Sequence, residues 1–309
     1  MTARAALALA LAVTVTLVVG GCRGTSQEQQ PAAAPRPSTS TAAPTTSAPT
    51  AAPAEDPPVD VEALPPPAAA TDPAALAAQV VQAETVLRSG TADPVATARA
   101  GMQQQLAYRT LASHPEWQEQ VFAAVPPGLR EAVVSQTDAA AGLFRLARPQ
   151  PRLPQWRIVR PPPADELLGH YRAAAREFGV GWEYLAAIHL VETRMGRIRG
   201  TSSAGAQGPM QFLPSTWEAY GEGDIESPRD AIRAAARYLR AHGAPADVDR
   251  ALYAYNHSDA YVRAISTYAA QMRADARLYR GYHAWQVYYR HVDGDRLLPV
   301  GWDGTAQPG

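Results

Sequence analysis

The chain has 309 residues, enough for one or two domains once non-globular stretches are set aside. Its 28 basic residues, every one an arginine, are matched by 29 acids, for a net charge of −1. That balance argues against a nucleic-acid binder driven by bulk charge. A single cysteine, Cys22, excludes a disulfide within the chain.

Residues 1–21 read as a secretion signal, with Arg4 in a short n-region and an apolar run over 5–19. The run is shorter than a typical membrane span. Val19-Gly20-Gly21-Cys22 resembles a bacterial lipobox, with cleavage before Cys22 and lipid on its sulfur; Val19 stands where leucine is commoner. Lipid there would hold the protein on the outer face of the cell membrane, given more than one chain. A plain secretory signal with an incidental cysteine is the alternative. Residues 22–71 are dominated by Pro, Ala, Ser and Thr and read as a disordered tether. At about 3.1 Å per residue in polyproline form, its reach is at most ~150 Å.

Residues 72–150 read as a small helical module of unknown role. Asp72-Pro73 and Asp93-Pro94 each pair a cap with a first-turn proline. Leu76, Val80 and Leu87, then Met102, Leu106 and Leu111, are the candidate buried positions. Further helices are expected over 115–125 and 127–146. The Pro-rich stretch 148–163 reads as a linker, with Trp156 free to pack on either side.

From residue 164 the pattern is helical again, and the domain is placed at 151–309. A helix is expected to end at Gly179, and the next to run over roughly 181–195 and stop at Gly196. On it Leu185, Ile188 and Glu192 follow i, i+3, i+7 spacing, so Glu192 shares a face with apolar residues, while Glu183 is expected to face solvent. A carboxylate in such a place is costly unless paired or neutral, and a raised pKa suits a general acid. The alternative is a structural ion pair with an arginine such as Arg194 or Arg233. More helices follow over 228–242, 247–255 and 258–279, and the remainder is loop-like with a possible strand at 285–289.

Three ordered segments then stand out: Glu192-Thr193-Arg194-Met195-Gly196, Ser203-Ala204-Gly205-Ala206-Gln207-Gly208-Pro209-Met210-Gln211-Phe212, and Ala254-Tyr255-Asn256. In this order and spacing they resemble the lytic murein transglycosylases with a goose-lysozyme-like catalytic domain, over about residues 160–290. The resemblance implies a lysozyme-like catalytic domain; with the helical module and the disordered tether read before it, the chain is expected to be mostly α. It implies Glu192 as the only catalytic carboxylate, which protonates the glycosidic oxygen between N-acetylmuramic acid and N-acetylglucosamine. The same residue then takes the proton of the muramoyl C6 hydroxyl, which closes a 1,6-anhydro ring. The substrate's own N-acetyl group would stand in for the second carboxylate used by most glycosidases. Two other outcomes stay open: a lysozyme-like hydrolase using water, and a non-catalytic peptidoglycan-binding lipoprotein.

By the same resemblance Ser203, Gly208, Met210, Gln211, Tyr255 and Asn256 are expected to bind substrate, with Tyr255 near Glu192. Pro209 replaces a commoner leucine or isoleucine, and His257 a commoner glycine, so the local loops depart from the family pattern. Phe212 is expected in the core and Glu218 on a helix surface. The seven histidines show no metal-ligand spacing, so neither metal nor cofactor is expected. His189 is read as a packed residue. The expected partners are peptidoglycan glycan strands and, through the N-terminal lipid, a membrane; no nucleic acid is expected.

Overall fold

A computed structural model describes residues 60–305. The leader, Cys22 and the tether as far as residue 59 lie outside the described residues. Among the described residues there are eleven α-helices and two small antiparallel sheets. None of these helices is long and apolar enough to cross a membrane.

Local sequence sets most helix starts. In α1 (Pro73–Arg88) and α2 (Pro94–Ser113) the Asp72 and Asp93 side chains accept the amides of Ala75 and Ala96 at 2.9 and 2.8 Å. A short 3-10 turn leads into α3 (Gln118–Ala124), and α4 (Pro127–Leu146) starts on its own proline. Then come α5 (Ala164–Phe178), closed by left-handed Gly179, and α6 (Trp182–Thr193). After these follow α7 (Pro214–Tyr220), α8 (Pro228–Ala241), α9 (Val248–Tyr255), α10 (Asp259–Ala274) and α11 (Leu278–His283). The single helix expected over 258–279 is broken at Asp275, whose backbone is extended.

α6 is the central element. Leu185, Ala186, Ala187, Ile188 and Leu190 are all fully buried, so the helix is apolar on nearly every side, as a helix inside a larger core must be. It is surrounded by α5, α8, α10 and α11. The helices before residue 147 have their own cluster around Leu76, Val80, Tyr108, Leu111 and Val133, yet Leu87, Ala100 and Ala139 belong to the core of the later half. α4 lies along α10 and α2 along α11. At the second crossing Gly101 faces Gly281, and a Cβ on Gly101 would sit 2.3 Å from the Gly281 carbonyl oxygen. The helices α1–α4 are thus packed into the core of the later half.

Two further expectations are corrected. Residues 60–64, assigned to the tether on composition, dock on the fold: Val61–Ala63 is a 3-10 turn, Leu64 is buried, and Glu62 pairs with the buried Arg197 while Asp60 pairs with Arg160. Charge complementarity over a long sequence separation outweighs the disorder-prone composition. The stretch 148–163 is also more than a linker. Its β1 (Arg157–Ile158) pairs with β2 (Ile198–Arg199), just after α6. The C-terminal part forms a hairpin of β3 (Val287–His291) and β4 (Gly294–Leu298), and Gln150 hydrogen-bonds to the edge of β3 through Arg290 and Val292.

Candidate active site

Glu192 occupies the last turn of α6, where the helix emerges from the core into a cavity. Its Oε1 accepts a hydrogen bond from the Tyr261 hydroxyl at 2.8 Å. Among the described residues no ion pair neutralises it. Arg233 is at the surface with Glu177 and Glu222, and the Arg194 guanidinium donates to the Leu190 carbonyl at 2.6 Å. Burial pushes the Glu192 carboxyl up to about 8; the Tyr261 bond and the more distant Arg194 charge only partly oppose this. The group is therefore an uncharged acid at neutral pH.

The turn that carries Glu192 is held by its neighbours. α6 stops at Thr193 rather than continuing to Gly196, and Arg194, Met195 and Gly196 all have positive φ, at 54°, 60° and 83°. The Thr193 hydroxyl donates to the Pro209 carbonyl at 2.6 Å and accepts the Gly196 amide at 3.1 Å. One buried hydroxyl thus ties the first motif to the second, its proton making one bond and its oxygen lone pair the other.

The second motif is a tight turn. Gln207 and Phe212 exchange two backbone hydrogen bonds of 2.9 Å across Gly208, Pro209, Met210 and Gln211. Gly208 has φ +72°, and a Cβ there would lie 2.1 Å from the Ile225 carbonyl oxygen. Gly208→Ala is expected to cost roughly 2–4 kcal/mol from combined backbone strain and overlap. Urea unfolding checks this, and a loss under about 0.5 kcal/mol would contradict the geometry.

The residues expected to bind substrate divide. Gln211 lines the cavity together with Glu192. Met210 is fully buried, and its carbonyl accepts the Tyr255 hydroxyl at 2.6 Å, so both residues support the turn. Gly208 shapes the backbone, and Ser203 is exposed; neither lines the cavity. Asn256 is buried at the end of α9, and neither polar atom of its side chain has a partner. Phe212 is in the core and Glu218 is exposed on α7. Glu183, expected in solvent, is largely covered and lies 3.7 Å from Arg273. His189 is packed, bonded through Nδ1 to the Tyr171 hydroxyl at 2.6 Å.

The tyrosine on Glu192 is Tyr261, which no sequence motif marked. Tyr255 stacks parallel to it with ring centroids 6.5 Å apart. The Tyr261 hydrogen bond stabilises the carboxylate, so removing it should raise the pKa further. Tyr261→Phe is expected to move the alkaline limb of activity upward by roughly half to one pH unit. A pH–rate profile checks this, and a limb that stays or moves down would contradict it.

The rest of the cavity comes from elements far from these motifs. Arg109 and Tyr108 project from α2, Leu143 and Phe144 from α4, Trp156 from the stretch before β1, and Tyr288 and Tyr289 from β3. Tyr288 and Tyr289 fall in the segment expected to form a strand; Arg109 had no local signal. Among the described residues Glu192 is the only carboxylate in the lining. Among the described residues no group of three or more His, Cys, Asp or Glu side chains is placed to hold a metal ion.

Comparison with known proteins agrees with this arrangement. The family described as "Transglycosylase SLT domain" matches residues 170–276, from within α5 to just beyond α10. No curated protein and no solved structure matches the chain. The match contains all three motifs and Tyr261, and leaves out α1–α4 and the β3–β4 hairpin. Residues 170–276 therefore match a transglycosylase SLT domain, the lysozyme-like domain of the lytic transglycosylase family.

Proposed function

We propose that the protein is a lytic transglycosylase that cuts the β-1,4 bond between N-acetylmuramic acid and N-acetylglucosamine in peptidoglycan. Glu192 donates its proton to the glycosidic oxygen as the C1–O bond breaks. The resulting carboxylate then accepts the proton of the muramoyl C6 hydroxyl, whose oxygen bonds to C1. The enzyme ends with its proton restored, and the product carries a 1,6-anhydromuramoyl end. The observation that carries this reading is that Glu192 stands alone. Among the described residues it is the only carboxylate lining the cavity, and burial keeps it protonated up to about pH 8. A glycosidase that activates water by a second carboxylate needs a partner acid, and the lining offers none.

The reaction places the protein outside the cytoplasmic membrane, at the wall. The leader and Cys22 are read as lipid attachment, with the tether giving reach. Digestion of purified sacculi tests the reading. Released muropeptides are expected to end in anhydromuramoyl groups, one water lighter than reducing ends. Reducing ends alone would make the protein a hydrolase, and no release would overturn both.

A further inference from the structure

The Glu192 cavity is lined by four arginines, three of which lie outside the SLT match. Its lining holds Arg109 from α2, Arg148 just after α4, Arg194 and Arg290 from β3. Arg109 pairs with Asp295. No carboxylate among the described residues forms an ion pair with Arg148, Arg194 or Arg290. Arg290 donates to the Phe144 and Ala147 carbonyls at 2.5 and 2.9 Å, and Arg194 to that of Leu190 at 2.6 Å. Carbonyls fix these guanidinium groups in place without cancelling their charge. The buried Nε of Arg109 has no acceptor at all. Burial, and to a lesser degree the neighbouring Arg109 charge, push Arg194 down to about 10. Glu192, protonated at neutral pH, adds no negative charge to offset them.

We propose that this arginine-lined wall is a subsite for a carboxylate carried by the muramoyl residue of the strand. The proposal rests on the peptidoglycan reading above. Within that polymer N-acetylglucosamine has no carboxylate. The muramoyl residue has its lactyl carboxylate when unsubstituted, and peptide carboxylates when it bears a stem peptide. A guanidinium fork matches a carboxylate bidentately, and in a partly water-excluded cavity that contact is stronger than in solvent. The wall would then set which sugar lies on each side of Glu192. α1–α4 and the hairpin would be parts of the substrate site.

Equilibrium binding to the full-length Glu192→Gln protein tests this without cleavage. Three probes are used: an N-acetylglucosamine oligomer, strands stripped of peptide, and strands bearing uncross-linked peptides. At least one carboxylate-bearing probe is expected to bind roughly tenfold more tightly than the neutral oligomer, about the worth of one charge-assisted hydrogen bond. Which one does so identifies the lactyl or the peptide carboxylate as the source. The preference should shrink in high salt, and Arg148→Gln in the same background should bring the ratio near one. Arg148 is exposed, so this variant tests charge without disturbing the core. Equal binding of all three probes, or a ratio unchanged by both salt and Arg148→Gln, overturns the subsite. Digestion by the wild type separates the two ideas. Anhydromuramoyl release without a binding preference removes the subsite alone; a binding preference without release removes the enzyme reading alone.

Discussion

Glu192→Gln is expected to lower the rate of strand cleavage by about 10²- to 10⁴-fold, the usual worth of a positioned acid or base. An amide has nearly the same shape but no proton to give. It can still accept the Tyr261 hydroxyl, and no ion pair is lost, so the fold should be preserved. The wild-type acid must be protonated to begin the reaction, so activity should fall as pH rises through about 8. Stability should respond in the opposite sense to the substitution. Unfolded, Glu192 titrates near its ordinary value of 4.5, and folded near 8. Below pH 4.5 both states are protonated and the residue costs nothing. As pH rises the unfolded state ionises first, and folding stability is lost until the folded group also ionises. Glu192→Gln should therefore be the more stable protein above pH 4.5, by roughly 2 kcal/mol at pH 7 once partial solvation is allowed for. Thermal unfolding across that range checks the gap. A variant less stable than the wild type at pH 7 would contradict a buried neutral acid.

Glu84→Ala is expected to destabilise the protein by about 3–5 kcal/mol, although Glu84 is remote from the reacting bond. Its fully buried carboxylate accepts from Gln104 at 2.8 Å, Tyr108 at 2.7 Å, Gln136 at 3.0 Å and Arg88 at 3.1 Å. Gln136 accepts the Tyr282 hydroxyl at 2.7 Å, and Gln104 the Trp285 indole at 3.2 Å. The network therefore joins α1, α2 and α4 to α11 and to Trp285, two residues before β3. Removing the carboxylate strands several buried donors at once. In a protein of this size the loss corresponds to a fall in Tm of roughly ten degrees. Because these bonds link both halves of the described structure, the wild type should unfold in one transition. Activity of the variant should fall too, since Tyr108 is both a network member and part of the cavity wall. A loss under about 1 kcal/mol in the variant, or two separate transitions in the wild type, would show that the halves are not coupled in this way.

Much of this was legible in the sequence for local reasons. Asp72-Pro73, Asp93-Pro94 and Ser227-Pro228 set helix starts through caps that each span only three residues. Glu192 was legible because helical spacing put it on an apolar face and it opens the first of three ordered motifs. What sequence could not show depends on distant partners. The end of α6 is moved to Thr193 by a bond to Pro209, overriding the stop signal of Gly196. Glu62 looks like one acid in a Pro- and Ala-rich stretch until the fold brings it to Arg197. Tyr261 sits in an ordinary helical pattern, and only the crossing of α10 on α6 brings it to Glu192. The arginines of the cavity wall come from α2, the end of α4 and β3, and no local pattern relates them.

The central claim is that one acid closes a ring and water never attacks. It is tested most directly by digesting sacculi in water enriched in heavy oxygen and weighing the new muramoyl ends. The account predicts ends without label, each one water lighter than a reducing end. Ends that carry the heavy oxygen at C1 from the first turnovers would contradict it.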